Sequence, residues 1–289
     1  MRAVSDRGFA LLQGRSGLFP FSDSRSRGGA LMNIAKKPRV GFFSFASCEG
    51  CQLAFLECEE ELPVLLEAVE IVRFREASSY EGREIGGEEF DVVFLEGTIA
   101  REKDAEEVRL LRKNAKIVVA FGACATTCGV NAIRNTRPLE IVRREVYGEK
   151  AGWYDVFPAR PVSAVVPVDY TLRGCPVDRT ELVKFLLFLL RDLPAPIPKY
   201  PVCFECKAAG VVCNYVRGRT CLGPVTTCGC GAICTRFGGR CEGCRGILPD
   251  ANLEGLRYAY REVGRSEEDL KHDLQLFNSF LSTMREKVL

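Results

Sequence analysis

Hydrophobic and polar positions follow a regular alternation of short apolar runs and helical stretches over the first two thirds of this chain, and lose any period after that. Arg39–Phe45 reads as a short apolar strand, followed by a helical stretch with carboxylates around Glu57–Glu61 and a second strand over Val69–Phe74. Apolar runs at Asp91–Leu95 and Ile117–Phe121 bracket a charged helix over Glu102–Lys113, which is the pattern of a parallel sheet wound with helices. A further strand is expected over Ala164–Val168, leading through a loop to an amphipathic helix over Asp178–Leu190. The fold class predicted is therefore α/β, with an open parallel sheet.

The pattern changes at Leu193–Pro201, where Pro194, Pro196, Pro198 and Pro201 can continue neither a helix nor a central strand. A domain boundary is placed there, giving an extension over residues 1–36, an α/β domain over 37–193 and a smaller domain over 194–289. The Gly, Ser and Arg-rich extension lacks periodicity and is expected to be disordered. Cys203–Gly246 holds nine cysteines and many glycines without a sustained period, so something other than a hydrocarbon core must organise it. Asn252–Val263 and Ser266–Val288 read as helices able to pack back over the larger domain.

Composition adds little until the cysteines. With 289 residues and 47% hydrophobic content the chain can bury a substantial core. Its 40 basic and 38 acidic side chains leave a formal charge of +2, which gives no reason to propose nucleic acid or an anionic membrane as a partner. The first 36 residues include Arg15, Arg25 and Arg27 but no adjacent Arg pair and no apolar stretch of signal-peptide length. The apolar run Phe185–Leu190 falls far short of the roughly 20 residues of a membrane span. A cytoplasmic protein is expected, and in a reducing compartment its 15 cysteines read as metal or iron-sulfur ligands before disulfides.

Those cysteines fall into three constellations. Cys48 and Cys51 form a C-x2-C pair after the first strand, Cys124 follows the Ile117–Phe121 strand, and Cys175 follows the strand expected to end at Val168. In an open parallel sheet the C-terminal strand edge is where ligands bind, so these distant segments can share one site. Four thiolates suit a 4Fe-4S cluster, with Gly50, Gly122 and Gly174 allowing close backbone approach and Pro176 giving a Cys-Pro ending of the ferredoxin kind. A structural zinc or unrelated buried thiols remain open on spacing alone. After the linker come Cys203, Cys206, Cys213 and Cys221, then Cys230, Cys234, Cys241 and Cys244. Two such sets suit two zincs or two 4Fe-4S clusters, and spacing does not choose between them.

Cys58, Cys128 and Cys228 are left over; Cys58 reads as a buried free thiol and Cys128 as a non-ligand, while Cys230 is preferred to Cys228 because Gly229 and Gly231 flank it. No nucleophile, catalytic dyad or phosphate loop is evident. The sole histidine, His272, sits between Lys271 and Asp273 on a polar helix and is expected to face solvent. Glu96, ending the third strand, is in the right place to approach the first constellation, though an ordinary strand-end carboxylate is the preferred reading. Several redox cofactors without a substrate site would make the chain a wire.

The segments Ser47-Cys48-Glu49-Gly50-Cys51-Gln52, Val93-Phe94-Leu95-Glu96-Gly97, Gly122-Ala123-Cys124-Ala125 and Gly174-Cys175-Pro176 resemble, in that order, the small subunits of nickel-iron hydrogenases. Cys221-Leu222-Gly223-Pro224-Val225, Gly229-Cys230-Gly231-Ala232 and Cys241-Glu242-Gly243-Cys244-Arg245-Gly246 are similar to the cytoplasmic, multimeric, NAD(P)-linked branch that includes archaeal sulfhydrogenase delta subunits. The resemblance runs from about residue 38 to 250. It favours iron-sulfur over zinc for every set and implies a flavodoxin-like domain with a proximal cluster on Cys48, Cys51, Cys124 and Cys175. It further implies one outer cluster on Cys203, Cys206, Cys213 and Cys221 and another on Cys230, Cys234, Cys241 and Cys244. The implied partners are a large subunit with the nickel-iron site, a subunit binding FAD and NAD(P), and a further iron-sulfur subunit.

Departures also carry meaning. Periplasmic and membrane-bound members of that family begin their distal set with His and use a three-iron medial cluster, whereas Cys203 and Cys234 imply all-thiolate four-iron clusters and so a low-potential acceptor such as a nicotinamide. Leu53 stands where many relatives have a carboxylate, so no proton-transfer role is carried over. Two rivals remain: a small quinone-reductase subunit of the complex I kind, which lacks the eight-thiol tail and usually has adjacent cysteines at its first motif, and a zinc-stabilised interaction module.

Overall fold

A row of apolar side chains crosses the centre of the molecule, Phe42 beside Phe94, Phe94 beside Val119 and Val119 beside Tyr170 on neighbouring strands. In the computed structural model, which describes residues 37–78, 89–191, 193–196 and 198–284, these strands form one parallel sheet. The strands are β1 (Arg39–Ser44), β2 (Glu70–Phe74), β3 (Phe90–Glu96), β4 (Ala115–Phe121) and β5 (Tyr170–Leu172), in the order β2-β1-β3-β4-β5. That is the flavodoxin-like order, with its switch point between β1 and β3. The expected extension at 1–36 lies outside the described residues, and all the described residues belong to one compact unit.

Both faces of the sheet are covered, which is why β3 and β4 read as unbroken apolar runs. On one face Val40, Phe42, Phe94 and Phe121 meet α1 (Gly50–Leu56), α2 (Leu62–Ala68) and α6 (Arg179–Leu190) through Phe55, Leu65, Leu182 and Phe185. Phe42 stacks on Phe94 with ring centroids 4.8 Å apart and on Phe74 at 4.6 Å. On the other face Phe43, Val93, Leu95 and Val118 meet Ala105, Val108 and Leu111 of α3 (Glu102–Asn114), residues at helical spacing on one side of that helix. Asp178 caps α6, its carboxylate accepting the Glu181 N–H at 2.9 Å.

Two expected elements differ. The carboxylates at Glu57–Glu61 occupy a turn between α1 and α2, since Pro63 opens a new helix instead of extending the old one. No strand forms over Ala164–Val168: Val162–Ala164 is a 3-10 helix, Val166 N–H bonds back to Val162, and β5 starts only beyond Pro167. Prolines at 161 and 167 deny this run the N–H groups a ladder needs, so its valines pack as a buried turn.

Short helices α4 (Gly122–Thr127) and α5 (Leu139–Tyr147) follow β4, with a 3-10 helix at Gly129–Thr136 between them. After the proline segment come α7 (Val202–Ala208), α8 (Ile233–Arg236), α9 (Leu253–Glu262) and α10 (Glu267–Met284). Helix α10 does pack back on α4 and the 3-10 helix, and Phe280 lies against the buried Cys128, Ala132 and Ala159. The helix kinks at Asn278, whose amide donates to Gly243 O at 3.2 Å. The expected helical residues beyond Met284 lie outside the described residues. No helix among the described residues is long and apolar enough to cross a membrane.

Candidate metal centres

Segments leaving three of the five strands at the C-terminal sheet edge carry the first constellation. Cys48 sits in the turn after β1, Cys51 on α1, Cys124 on α4 after β4, and Cys175 in the loop after β5. The four thiols are electrostatic neighbours: Cys51 faces Cys124 and Cys175, and both of those face each other, with Cys48 close to each. Gly122 makes this convergence possible. A Cβ there would lie 2.3 Å from Cys51 Sγ, and its φ of +86° is one that only glycine adopts freely.

Glu96 lies beneath these thiols, 2% exposed. Its carboxylate accepts N–H bonds from Cys51 at 3.1 Å and Gln52 at 3.2 Å, and the Gln52 amide at 3.1 Å. Burial pushes its carboxyl above the usual range while those three donors pull it back. Read from sequence as an ordinary strand-end carboxylate, Glu96 instead anchors the first turn of α1 and so positions Cys51. Asn131, not singled out from sequence, donates to Ala46 O at 3.0 Å and points its amide at Cys124 Sγ at 3.7 Å.

The second constellation lines a cavity formed by α7 and the loop beyond it: Cys203, Cys206, Cys213 and Cys221, with Tyr215 and Thr235. Thr235 Oγ1 lies 3.3 Å from Cys206 Sγ, and the Tyr215 hydroxyl donates to Cys221 O at 2.7 Å. The third lines a neighbouring cavity with Cys230, Cys234, Cys241 and Cys244, roofed by Phe277 of α10. Cys175 of the first group also borders this cavity, and its backbone N–H bonds the Cys244 sulfur. On the opposite side Cys241 N–H donates to Cys221 Sγ of the second group at 3.3 Å. The third group therefore stands between the other two, although it comes last in the chain.

Burial raises the thiols of Cys51, Cys124, Cys175, Cys203, Cys230, Cys234, Cys241 and Cys244. It lifts Cys203 to about 11 and, with neighbouring thiols and Glu96 adding to it, Cys124 to about 12; Cys241 and Cys244 are likewise pushed up to about 12. These eight thiols resist becoming thiolates unless positive charge joins them, and the iron of a cluster would supply that charge. Among the described residues no three His, Cys, Asp or Glu side chains gather around a single ion position; the sulfurs of the second and third groups line cavity walls instead. This donor set, all sulfur with backbone N–H groups aimed at it, fits 4Fe-4S clusters.

Arg245 joins the sheet region to the third group. Only 2% exposed, its guanidinium pairs with Glu181 of α6 through two 2.7 Å bonds and donates to Arg173 O at 2.6 Å and Cys228 O at 2.8 Å. Burial disfavours its charge, but the Glu181 carboxylate more than offsets this. Gly229 leaves the room: a Cβ there would meet Arg245 Nη2 at 2.3 Å. Cys228 is buried against Arg245 and is not among the residues lining the third cavity, whereas Cys230 is. Cys58 donates its thiol to Ala54 O at 3.4 Å in the turn after α1. Cys128 is fully buried with φ +68°, facing Cys124 and Arg134. His272 is exposed, as expected.

A flavodoxin-like sheet with thiols converging on its switch-point edge, continued by two thiol-lined cavities, defines a protein of the redox small-subunit class. The family described as NADH ubiquinone oxidoreductase, 20 Kd subunit, matches residues 48–189. Sulfhydrogenase 2 subunit delta of Pyrococcus furiosus is 36% identical over 80% of this chain and 95% of its own length. A chain of the F420-non-reducing hydrogenase of Methanococcus voltae is 29% identical over 86% of this chain and 96% of its own. Among solved structures, a chain of an NAD+-reducing [NiFe]-hydrogenase in the H2-reduced state superposes with a TM-score of 0.51 at 27% identity, covering 56% of this chain and 96% of that one. The chain belongs to the hydrogenase small-subunit family.

Proposed function

We propose that this chain is the electron-transfer small subunit of a cytoplasmic nickel-iron hydrogenase. Its proximal 4Fe-4S cluster is held by Cys48, Cys51, Cys124 and Cys175, a middle one by Cys230, Cys234, Cys241 and Cys244, and an outer one by Cys203, Cys206, Cys213 and Cys221. Bound clusters supply reversible one-electron chemistry, and the all-sulfur donor sets favour low potentials. The observation that carries the reading is the continuous row of thiol groups, joined by the Cys175–Cys244 and Cys221–Cys241 contacts. A large subunit bearing the nickel-iron site then lies at the proximal end, and a subunit binding FAD and NAD(P), with a further iron-sulfur subunit, beyond the outer one. Residues 37–193 form the proximal-cluster part and 194–289 the two-cluster part.

The chain's own groups do three things in this reading. Burial of Cys51, Cys221 and Cys241 excludes water from the donors, backbone amides of Cys175 and Cys241 stabilise sulfur charge, and Glu96 and Arg245 fix the donors of the first and third groups in place. NAD(P)+ is favoured as final acceptor by the NAD+-reducing neighbour and the absence of His from the second donor set.

The test is anaerobic purification of the tagged chain with its partners, identification of those partners by mass spectrometry, and H2-dependent reduction of NAD+, NADP+ and a deazaflavin. A nickel-bearing large subunit and a flavoprotein are expected, with reduction of a nicotinamide. Cys124→Ser is expected to lose H2-dependent reduction while electron paramagnetic resonance still detects the other two clusters. A chain isolated without iron or any nickel-bearing companion would contradict the reading.

A further inference from the structure

Between Glu205 and Glu242 the chain has five basic residues, Lys207, Arg217, Arg219, Arg236 and Arg240, and no Asp or Glu. In a chain whose charges otherwise nearly balance, this segment is wholly cationic. Arg240 is neutralised by Asp273. Lys207, Arg217, Arg219 and Arg236 are exposed and have no carboxylate partner among the described residues; of the carboxylates that flank the segment, Glu205 is held by the Gly229 and Ala232 N–H groups and Glu242 pairs with Arg240.

The same segment exposes large apolar side chains beside the second thiol group. Phe237 is 84% exposed and Val216 80%, with Phe204 exposed between Cys203 and Cys206 and Val212 next to the exposed Cys213. Contacts within the segment bring these onto one surface. Asn214 donates to Gly239 O at 3.0 Å and Arg219 to Gly238 O at 3.3 Å, seating the Val216 loop against the end of α8; the Thr235 to Cys206 contact seats α8 against α7. Clustered exposed apolar groups ringed by charge of one sign are the chemistry of a docking face that steers its partner electrostatically. An alternative role for the cations, balancing the negative charge of a cluster, fits Lys207, which acts on the Cys203 sulfur; Arg217, Arg219 and Arg236 are exposed beside the apolar side chains.

We propose that this surface, built on Phe204, Val216 and Phe237 with Arg217, Arg219 and Arg236 around them, docks an electron-carrying polypeptide that presents carboxylates around its own redox group. The inference rests on the outer cluster proposed above. In the exchange the reduced chain gives up one electron and the carrier gains one; no bond forms or breaks.

The complex of this chain with its large subunit, free of the flavin-binding and further iron-sulfur subunits that would cover this face and with its iron and sulfide measured first, is reduced with dithionite, stripped of excess reductant by anaerobic gel filtration, and mixed with an oxidised acidic two-iron ferredoxin or, in parallel, a basic c-type cytochrome. Chemical reduction makes the readout independent of H2 and of the large subunit. The transfer rate to the ferredoxin is expected to fall at least tenfold between about 20 and 500 mM salt, and the rate to the cytochrome to rise or stay level. The triple variant Arg217→Glu, Arg219→Glu, Arg236→Glu is expected to reverse both salt dependences with cluster content unchanged. Val216→Ser with Phe237→Ser is expected to weaken saturation by the ferredoxin while leaving the salt dependence intact.

Equal salt dependence for the two carriers, or a triple variant with full cluster content and an unchanged ferredoxin rate, overturns the docking proposal alone. A triple variant whose cluster potential shifts while its ferredoxin rate and salt dependence stay at wild-type values also overturns it, assigning the arginines to charge balance. Absence of iron and sulfide from the starting complex overturns the underlying functional reading and this inference with it.

Discussion

The sheet region and the cysteine-rich region solve the problem of cohesion differently. Around the sheet, Phe42, Phe94, Phe121, Val93 and Leu111 are almost wholly buried and make two hydrocarbon layers. Around Cys203–Cys244 one small buried cluster consists of Val202 and Ala232 with Cys221 and Cys241, Leu222 and Val225 pack on α9 and α10, and the regular structure is a seven-residue helix, a four-residue helix and a 3-10 turn at Tyr215–Arg217. The first region has extensive apolar burial of its own; the second has little within itself, so in the reading proposed above its order depends on what its sulfurs bind. Helix α10 and the Arg245–Glu181 pair tie the second to the first.

Stripping metal should separate the two regions most sharply. After anaerobic chelation, hydrogen exchange is expected to show protection in residues 203–246 falling by at least a hundredfold, with β1, β3 and β4 retaining most of theirs. Equal loss in both regions would remove the distinction. Next in size come point changes in each region's main support. Phe94→Ala is expected to cost about 3–5 kcal/mol by leaving a cavity beneath Phe42 and Phe121. Arg245→Met should cost a similar ~3–5 kcal/mol, because Glu181 is left buried without its partner, and urea unfolding of the metal-loaded chain checks both.

Acid should act on the C-terminal helices before the sheet. Burial pushes the Asp273 carboxyl up, but Arg240, Tyr260 and Thr220 together hold it below its ordinary value. A lowered folded pKa gives stability that is present above the unfolded value of 3.8 and is lost as pH falls through the folded one. Asp273→Asn is therefore expected to flatten the loss of α9–α10 protection below about pH 4. The smallest effect falls at a helix end: Asp178→Ala removes the α6 cap and should cost about 1 kcal/mol in thermal unfolding.

How far these features were legible in sequence follows from the range of the contacts behind them. Strands β1, β3 and β4 were plain because burial on both faces leaves continuous apolar runs. Ala164–Val168 misled because a buried turn between prolines has the same composition as a buried strand. The thiols stood out by type and spacing, and the second and third sets line two neighbouring cavities. The row they form did not, since Cys241 meets Cys221 and Cys244 meets Cys175 across intervals no local pattern encodes. The same holds for Glu96 holding Cys51 from 45 residues away, Asn131 reaching Ala46 across 85, and Arg245 finding Glu181 across 64.

Iron and acid-labile sulfide per chain test the central claim most directly. Anaerobically purified protein, freed of its partners' metals by quantifying each subunit, is predicted to hold about twelve irons and about twelve sulfides on this chain, as three four-iron clusters require. Two or three zinc ions with no sulfide would contradict it and return the cysteine-rich region to a purely structural role.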